Sequence, residues 1–115
     1  MPKIEAKFGI NKNAIIRHKR EIDELFLTGK RFLFDDLVII YKPSPQSKIG
    51  FFASGKIKGA VNRNRMKRLL REAYRMNKEI FMGLTVIFYA KGLLDTKRIL
   101  EAFKAFKKER HDHEI

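Results

Sequence analysis

The sequence predicts an α+β fold in which helices cover a small β-sheet. Segments with the 3.6-residue spacing of helices are mixed with short apolar runs of strand length, and glycines and prolines separate them. No repeat or flexible linker divides the chain. With 115 residues, 44% of them hydrophobic, it has the size of one domain, which buries roughly two-thirds of its unfolded surface. We therefore predict a single domain over residues 1–115.

The first predicted element is a short helix that follows a segment without periodicity. Residues 1–12 lack a clear period, and we expect them to form a mobile or loosely paired arm. From about Arg17 to Thr28, apolar residues follow the i, i+3, i+4 spacing of a helix with one buried stripe. These residues are Ile22, Leu25 and Phe26. Gly29 is well placed as the residue after the end of this helix.

Strands are predicted in three regions rich in β-branched and aromatic residues. The region 32–42 predicts one or two strands interrupted by Asp35-Asp36, and two prolines then end regular structure. The regions 48–54 and 84–90 each predict one further strand, the second of them flanked by glycines. On a strand, the adjacent aspartates would face opposite ways, which is poor geometry for a catalytic carboxylate pair.

Two more helices complete the predicted order of helix, strands, helix, strand, helix. A long helix is expected over about Ala60 to Phe81, between the second and third strand regions. A final helix is expected from about Asp95, as its N-cap, to Arg110. Its inward side is predicted to carry Ile99, Leu100, Phe103 and Phe106. The strand, helix, strand segment could be a crossover between parallel strands, for which a right-handed connection is the default.

The charge balance points to a polyanionic partner. Twenty-six Lys and Arg against 13 Asp and Glu leave a formal charge of +13, and the sequence pI is about 10.2. The usual partners of such a protein are nucleic acids or anionic membrane surfaces. The absence of cysteine excludes disulfides and cysteine-ligated zinc. No signal peptide is visible, and the apolar runs fall short of the about 20 residues of a membrane span, so we expect a cytoplasmic protein.

The positive charge is concentrated and one-sided on the long predicted helix. Between Lys56 and Lys78 there are nine basic residues and one acidic residue, Glu72. At 100° per residue, one side is apolar. It carries Met66, Leu69, Leu70 and Ala73, and the opposite side carries Asn64, Lys67, Arg68, Arg71, Arg75 and Lys78. A solvated face would normally mix charges of both signs, whereas this side suits a row of phosphates.

Other functions fit the sequence less well than RNA binding. Membrane binding fits least, because the apolar side has the width that a helix of a globular protein buries and has no Trp to insert. DNA binding ranks second to RNA binding. It is less favoured because neither a helix-turn-helix nor a heptad pattern is present. No nucleophile motif or phosphate loop occurs, and His111 and His113 near the C-terminus lack a third fixed metal ligand. No catalytic residue and no metal site are therefore expected on the protein.

The segment KIKGAVNRNRMKRLLREAYR, Lys56 to Arg75, closely resembles the signature of the bacterial ribonuclease P protein component. The order of elements is also similar to that of the family over most of the chain. The resemblance implies a two-layer α/β sandwich with a four-stranded mixed sheet. It also implies a left-handed crossover at the signature helix, against the right-handed default.

The resemblance also implies a function. Members of this family bind a large catalytic RNA and contact the 5′ leader of precursor tRNA in a cleft between the first helix and the sheet. The RNA with its Mg²⁺ ions cuts the phosphodiester bond, so that the protein is a subunit of the endonuclease without an active site of its own. The alternative is a ribosomal or ribosome-assembly protein that coats structured RNA.

Residues of this sequence that stand at the positions of the family's site residues are expected to have the same roles. The expected contacts with the catalytic RNA are Lys56, Arg63, Asn64, Arg65, Lys67, Arg68, Arg71 and, on the same side, Arg75. The residues expected to line the leader cleft are Ile22, Phe26, Val38, Ile40 and Ala90. Ile22 and Ile40 stand where relatives often have aromatics, whose stacking is worth about 1 to 3 kcal/mol per base. Gly55 stands where a lysine is usual, which removes one expected phosphate contact.

Overall fold

The structure is a computed structural model that describes residues 15, 16 and 18–114, with the backbone alone for 111–114. The expected arm over 1–12 lies outside the described residues, as does Arg17. In chain order, the described helices and strands are α1 (Lys19–Thr28), β1 (Lys30–Phe34), β2 (Leu37–Pro43), β3 (Lys48–Ala53), α2 (Ala60–Met76), a 3₁₀ turn (Lys78–Phe81), β4 (Leu84–Ala90) and α3 (Thr96–Glu114).

The four strands form one mixed sheet in the order β1-β2-β4-β3. β1 pairs with β2 and β2 with β4 in antiparallel directions, whereas β3 and β4 are parallel. Two parallel neighbours cannot be joined by a tight turn, and α2 provides the long connection between them. The predicted α+β class, the four-stranded mixed sheet and the crossover through the basic helix are therefore confirmed. The left hand of the crossover stays a prediction.

The two adjacent aspartates form the turn between β1 and β2 rather than part of a strand. Pairing of the two strands closes at Phe34 opposite Leu37, which leaves Asp35 and Asp36 as the loop. Asp35 has φ 51°, in the left-handed region that Asp adopts more readily than most residues. Arg98 of α3 donates from Nε to the Asp35 carboxylate at 2.8 Å and lies over the Phe34 ring. This contact fastens α3 to the hairpin.

Alternation along the strands sends their side chains to two separate apolar clusters. On one face, α2 and α3 cover the larger cluster, in which Leu37, Ile39 and Phe88 are fully buried. On the other face, α1 covers a smaller cluster around Leu25 and Ile40. The layer formed by α2 and α3 thus packs on the whole sheet, and α1 adds cover to part of the opposite face.

The long helix ends five residues before the end that its pattern predicts, at Met76 instead of Phe81. Asn77 stops it, because its side-chain amide donates to the Ala73 carbonyl at 2.8 Å. Asn side chains commonly compete with helical hydrogen bonds in this way. The 3₁₀ turn that follows carries Phe81 into the centre of the larger cluster, where its ring centroid lies 4.9 Å from that of Phe88.

In the last helix, the predicted N-cap is confirmed, and one residue that was predicted to be buried is exposed. The backbone N–H of Arg98 donates to Asp95 Oδ1 at 2.9 Å, as expected for an N-cap. Ile99 and Phe103 are buried as predicted, and so is Phe106. Leu100 is 36% exposed, so its predicted place in the core is wrong. It lies at the border of α3 towards α2, where it lines an open groove.

Candidate nucleic-acid interface

The helix α2 has the apolar and basic sides that the sequence predicts. Its buried residues are Met66, Leu70, Ala73 and Tyr74, and Leu69 is half-buried at the border. The opposite side carries Asn64, Lys67, Arg68, Arg71 and Arg75, which we call the basic face, and Arg63 is half-buried at its border. Lys78, expected on this side, lies in the 3₁₀ turn after the helix.

Two arginines of α2 are held by neighbouring groups while most of their donors remain available. Arg63 donates from Nη1 to the carbonyl of Ile57 at 2.8 Å. Arg71 lies over the Phe51 ring, with Cζ 5.5 Å from the ring centroid. A guanidinium has five N–H donors in a fixed plane, so each side chain can still bind a phosphate. These contacts reduce the entropy that binding would otherwise cost.

The rest of the basic face has little compensating negative charge. Glu72 pairs with Arg75, whose Nη2 lies 2.6 Å from Glu72 Oε1. The Glu72 carboxylate is exposed, and an exposed ion pair contributes at most about 1 kcal/mol to stability. Lys67 and Arg68 form no ion pair with any residue that the structure describes. The face therefore keeps a net positive potential.

Arg65 lies apart from the basic face. It is exposed, but it lines a pocket at the seam between α2 and α3 together with Leu69, Leu94 and Asp95. Arg65 therefore shares the lining of this pocket with Asp95, the N-cap residue of α3. The structure thus groups the predicted residues Asn64, Lys67, Arg68, Arg71 and Arg75, and it leaves Arg63 and Arg65 at the two borders of this group.

The loop before α2 presents Lys56 beside an open position. Ser54 is buried, and its Oγ accepts a hydrogen bond from the Lys56 backbone N–H at 3.1 Å. Lys56 itself is exposed. A Cβ placed on Gly55 would meet no atom within 4 Å, so the lysine expected there would fit without a clash. The fold therefore leaves room for a lysine at this position, and the glycine found there is not required by the packing.

The second predicted site lies between α1 and the sheet. Ile22 and Phe26 of α1 are half-buried and pack against the smaller cluster, together with Val38 and Ile40 of β2. Ile40 is only 1% exposed, so it supports the cleft from below instead of forming its surface. Ala90 is fully buried in the larger cluster on the other face of the sheet, which corrects its predicted place in the cleft.

Two aromatic residues that sequence reasoning missed lie in this cleft. Phe52 of β3 and Tyr89 of β4 are half-buried beside Phe26, with ring centroids 6.2 and 6.1 Å from its centroid. The position of Tyr89 could have been predicted from the sequence. Side chains alternate along a strand, so Tyr89 must face away from the buried Ala90. Which face α1 covers, however, depends on the tertiary structure.

Two ion pairs fasten α1 to the sheet at the other end of the cleft. Glu21 pairs with Lys48 of β3, and Glu24 pairs with Lys42 of β2, each with an N–O distance of 3.2 Å. These contacts neutralise the acidic residues of α1 that face the sheet. The aromatic end of the cleft is thereby left as its open end.

The edge strand β3 joins the two candidate surfaces. Phe51 lies under Arg71 on the face of α2, and the next residue, Phe52, lies in the cleft on the opposite face. β3 then continues through Lys56 into α2. A nucleic acid bound on the basic face and a strand in the cleft would therefore meet at this edge of the sheet.

Residues 10–111 match the sequence model of the family described as Ribonuclease P. The chain belongs to the Ribonuclease P family. Curated relatives named ribonuclease P protein component support the assignment. The protein of Desulfotalea psychrophila is 31% identical over 73% of this chain and 72% of its own length, and that of Syntrophus aciditrophicus is 33% identical over 75% of each. The match with the Porphyromonas gingivalis W83 protein is 34% identical and spans 58% of that relative, less than two-thirds of its length.

Solved structures of Ribonuclease P family proteins share this fold. The RNase P protein of Staphylococcus aureus superposes with a TM-score of 0.72 at 19% identity, over 84% of this chain and 94% of that one. The RNase P protein of Thermotoga maritima superposes with a TM-score of 0.60 at 24% identity, over 84% and 87%. The mixed four-stranded sheet covered by helices, which the signature over Lys56 to Arg75 implied, is thus confirmed.

Two further observations concern this Ribonuclease P family member. Among the side chains that the structure describes, no group of three or more His, Cys, Asp or Glu is placed to hold a metal ion. Within the same part of the chain, no helix is long and apolar enough to cross a membrane. His111 and His113 lie outside the described side chains.

Proposed function

We propose that this chain is the protein subunit of a bacterial ribonuclease P in the cytoplasm, and that it binds both the catalytic RNA and the 5′ leader of precursor tRNA. The observation that carries the proposal is the basic face of α2, which combines the family signature with guanidinium groups that have free donors. Family membership supports the RNA partner, and the open aromatic end of the cleft supports the leader contact.

The basic face acts by neutralising phosphates. Each cation that replaces counterions on the RNA releases them, which favours binding and makes it salt-dependent. Arg63 and Arg71 are already ordered by Ile57 and Phe51, so they can bind phosphates in a fixed geometry. Lys67 and Arg68 add free cations between them along the helix.

The cleft adds a contact that only a substrate with a leader can make. Phe26 lies at the surface between α1 and the sheet, above buried Ile40. An extended single strand could lie there and place the cleavage site against the RNA bound on the basic face. Mg²⁺ ions, held mainly by the RNA, supply the Lewis-acid chemistry of phosphodiester hydrolysis. The protein residues bind and orient, and none of them enters the reaction.

Reconstitution with a bacterial ribonuclease P RNA tests the proposal. At low Mg²⁺ concentration, cleavage of precursor tRNA at the mature 5′ end should appear only when the protein is added. Arg68→Glu should remove most of this stimulation. Lys107→Glu is the matched control, because it makes the same charge change at an exposed position of α3 outside the interface.

Three outcomes separate the alternatives. Stimulation that Arg68→Glu abolishes and Lys107→Glu preserves supports the proposal. Stimulation that both variants lose equally would mean that total charge matters and the basic face does not. RNA binding without any stimulation, at every Mg²⁺ concentration, would overturn the proposal and favour a ribosomal or ribosome-assembly protein.

A further inference from the structure

An apolar groove runs along the seam between α2 and α3, and we call it the seam groove. Two adjoining depressions of about 690 and 310 Å³ form it, and both are lined by Leu69 and Thr96. The seam groove follows α2 from Asn62 to Met76, which is about 21 Å of helix at a rise of about 1.5 Å per residue. It is therefore longer than a compact small molecule needs.

Short side chains in the middle of the seam leave the groove open. Ala73 of α2 and Thr96 of α3 both line it, and neither side chain is large. Ile80 and Phe103, which are 8% and 1% exposed, lie at its floor and belong to the larger apolar cluster. A molecule bound in the seam groove would thus contact side chains that the core already holds in place, so that little entropy is lost in ordering them.

Three exposed apolar side chains stand along the seam groove. Met76 is 69% exposed, Leu93 is 61% exposed and Leu100 is 36% exposed, and all three belong to its lining. Single apolar residues scattered over a surface are ordinary, whereas several along one groove are typical of an interaction site. The flexible side chain of methionine is well suited to such a site, because it adapts to the shape of a partner.

The charges beside the seam groove favour an acidic partner. Arg65 and Lys104 line it, are exposed and form no ion pair with any residue in the described part of the chain. The acidic side chains of the lining are already engaged. Glu72 pairs with Arg75, and Asp95 accepts the N-cap hydrogen bond of α3. The two cations are therefore available to carboxylates of a partner.

An amphipathic helix with acidic residues beside its apolar side fits both features. Such a helix fills an apolar groove with residues spaced at i, i+3, i+4 and i+7, and about four turns match the length of the seam groove. A second copy of this chain fits poorly, because two copies with a formal charge of +13 each repel one another. RNA also fits poorly, because most of the lining is apolar.

We propose that the seam groove binds an acidic amphipathic helix of another protein. This inference goes beyond the function proposed above, since it concerns a protein partner and a different side of α2. Leu69 and Met76 lie about 140° or more around the helix axis from Lys67 and Arg71 of the basic face. The partner and the RNA therefore bind different sides of α2, and the partner is recruited to the assembled ribonucleoprotein.

Titration of a designed peptide against the free protein and the reconstituted holoenzyme tests the proposal. The probe is a fluorescein-labelled peptide of about 16 residues, built from Leu, Ala, Gln and Glu with its leucines on one helical side. A second peptide has the same composition, with the leucines spread around the helix. Fluorescence anisotropy should show that the first peptide binds at least about tenfold more tightly, the equivalent of about 1.4 kcal/mol. Because both peptides carry the same charge, this preference measures apolar docking.

Substitutions that leave the net charge unchanged locate the binding site. Met76→Gln combined with Leu100→Gln should remove the preference for the first peptide. Leu27→Gln combined with Met82→Gln is the matched control, because it changes two apolar residues outside the seam groove that are 84% and 68% exposed. The preference should remain in this control. Circular dichroism shows whether each double variant is folded.

A charge substitution tests the acidic character of the partner. Lys104→Gln should weaken binding of the first peptide and make its salt dependence shallower, because one cation of the lining is lost. Lys30→Gln removes the same charge at an exposed position of β1, and it should change the salt dependence less. Equal effects of the two substitutions would contradict the acidic contact at Lys104.

The peptide titrations decide between a protein partner and the alternatives. A preference that Met76→Gln with Leu100→Gln abolishes, in the free protein and in the holoenzyme, supports the proposal. Equal affinities of the two peptides, or a preference that these substitutions leave unchanged, would overturn it. Binding to the free protein that the holoenzyme lacks would assign the seam groove to the catalytic RNA and also overturn it. The titrations of the free protein stand whether or not the proposed function holds.

Discussion

The guanidinium of Arg71 lies over the ring of Phe51, with Cζ 5.5 Å from the ring centroid. The contact joins the exposed side of α2 to the edge strand of the sheet, and Phe51 in turn stacks on the buried ring of Phe88 at 5.7 Å. A surface cation is thereby fixed in position by the core. Arginine suits this place, because its planar group can stack on a ring and bind a phosphate at once.

Arg71→Ala should weaken RNA binding and make the log–log salt dependence shallower by up to about one unit, because one phosphate contact is lost. Arg71→Lys should keep the salt dependence but reduce affinity, since lysine has no planar fork. Titrations over a range of salt concentrations measure both quantities. Lys107→Ala on α3 is the control, and a slope in Arg71→Ala equal to that of wild type would remove Arg71 from the interface.

Gly55→Lys should strengthen RNA binding. The position is exposed, and a Cβ there meets no atom within 4 Å, so the added side chain costs no packing. One further cation beside Lys56 should steepen the salt dependence by about one unit if it reaches a phosphate. Gly55→Gln tests side-chain length without charge, and equal affinities of the two variants would contradict an electrostatic gain.

Gly29→Ala should destabilise the protein by about 1 to 3 kcal/mol through overpacking. A Cβ on Gly29 would lie 2.7 Å from the Leu25 carbonyl oxygen and 2.9 Å from Ile40 Cγ2, between the end of α1 and the sheet. Urea unfolding measures the free-energy change. Gly55→Ala is the matched control at an open position, and the prediction fails if the two substitutions change stability equally.

Phe81→Ala should cost about 3 to 5 kcal/mol, because it leaves a large cavity. Phe81 is 1% exposed, and its ring lies against those of Phe88, Phe103 and Phe106 at 4.9 to 5.3 Å. The next residue provides the control, since Met82 is 68% exposed and Met82→Ala should change stability by no more than about 0.5 kcal/mol. Chemical denaturation of both variants checks the contrast, which a small loss for Phe81→Ala would contradict.

Stability should fall as the pH rises above about 10, in part through Tyr74. Burial raises the pKa of Tyr74 above its ordinary value of 10.0. The unfolded state therefore loses this proton first and binds fewer protons in that range, so unfolding is favoured as pH rises. Tyr74→Phe should make the decline smaller. Unfolding curves at neutral pH and above about pH 10 measure it, and identical declines in both proteins would refute the contribution.

Local patterns along the chain predicted the elements and their faces. The spacing of Met66 and Leu70 predicted the buried side of α2, and the apolar run over 84–90 predicted β4. Periodicity works for these elements because the chain geometry alone decides which residues share a face. The end of α2 does not follow from this spacing, since Asn77 stops the helix through a side-chain hydrogen bond that no apolar period reveals.

The candidate site was predicted in part. The basic face followed from charge and helical spacing, because every residue in it belongs to one helix. The cleft could not be predicted from local spacing alone, since Phe26, Phe52 and Tyr89 come from three separate elements. Ala90 was misplaced for the same reason, because its face depends on the register of β4 against β2.

The amino-acid sequence by itself determined the α+β class, the basic side of α2 and the family signature between Lys56 and Arg75. Only the tertiary structure decided that Phe51 and Phe52 lie on two different surfaces and that Arg65 lines a pocket between α2 and α3. The physical reason is the range of the interactions. Side-chain spacing is set by bonds to near neighbours, whereas strand order and register are set by pairings between distant segments.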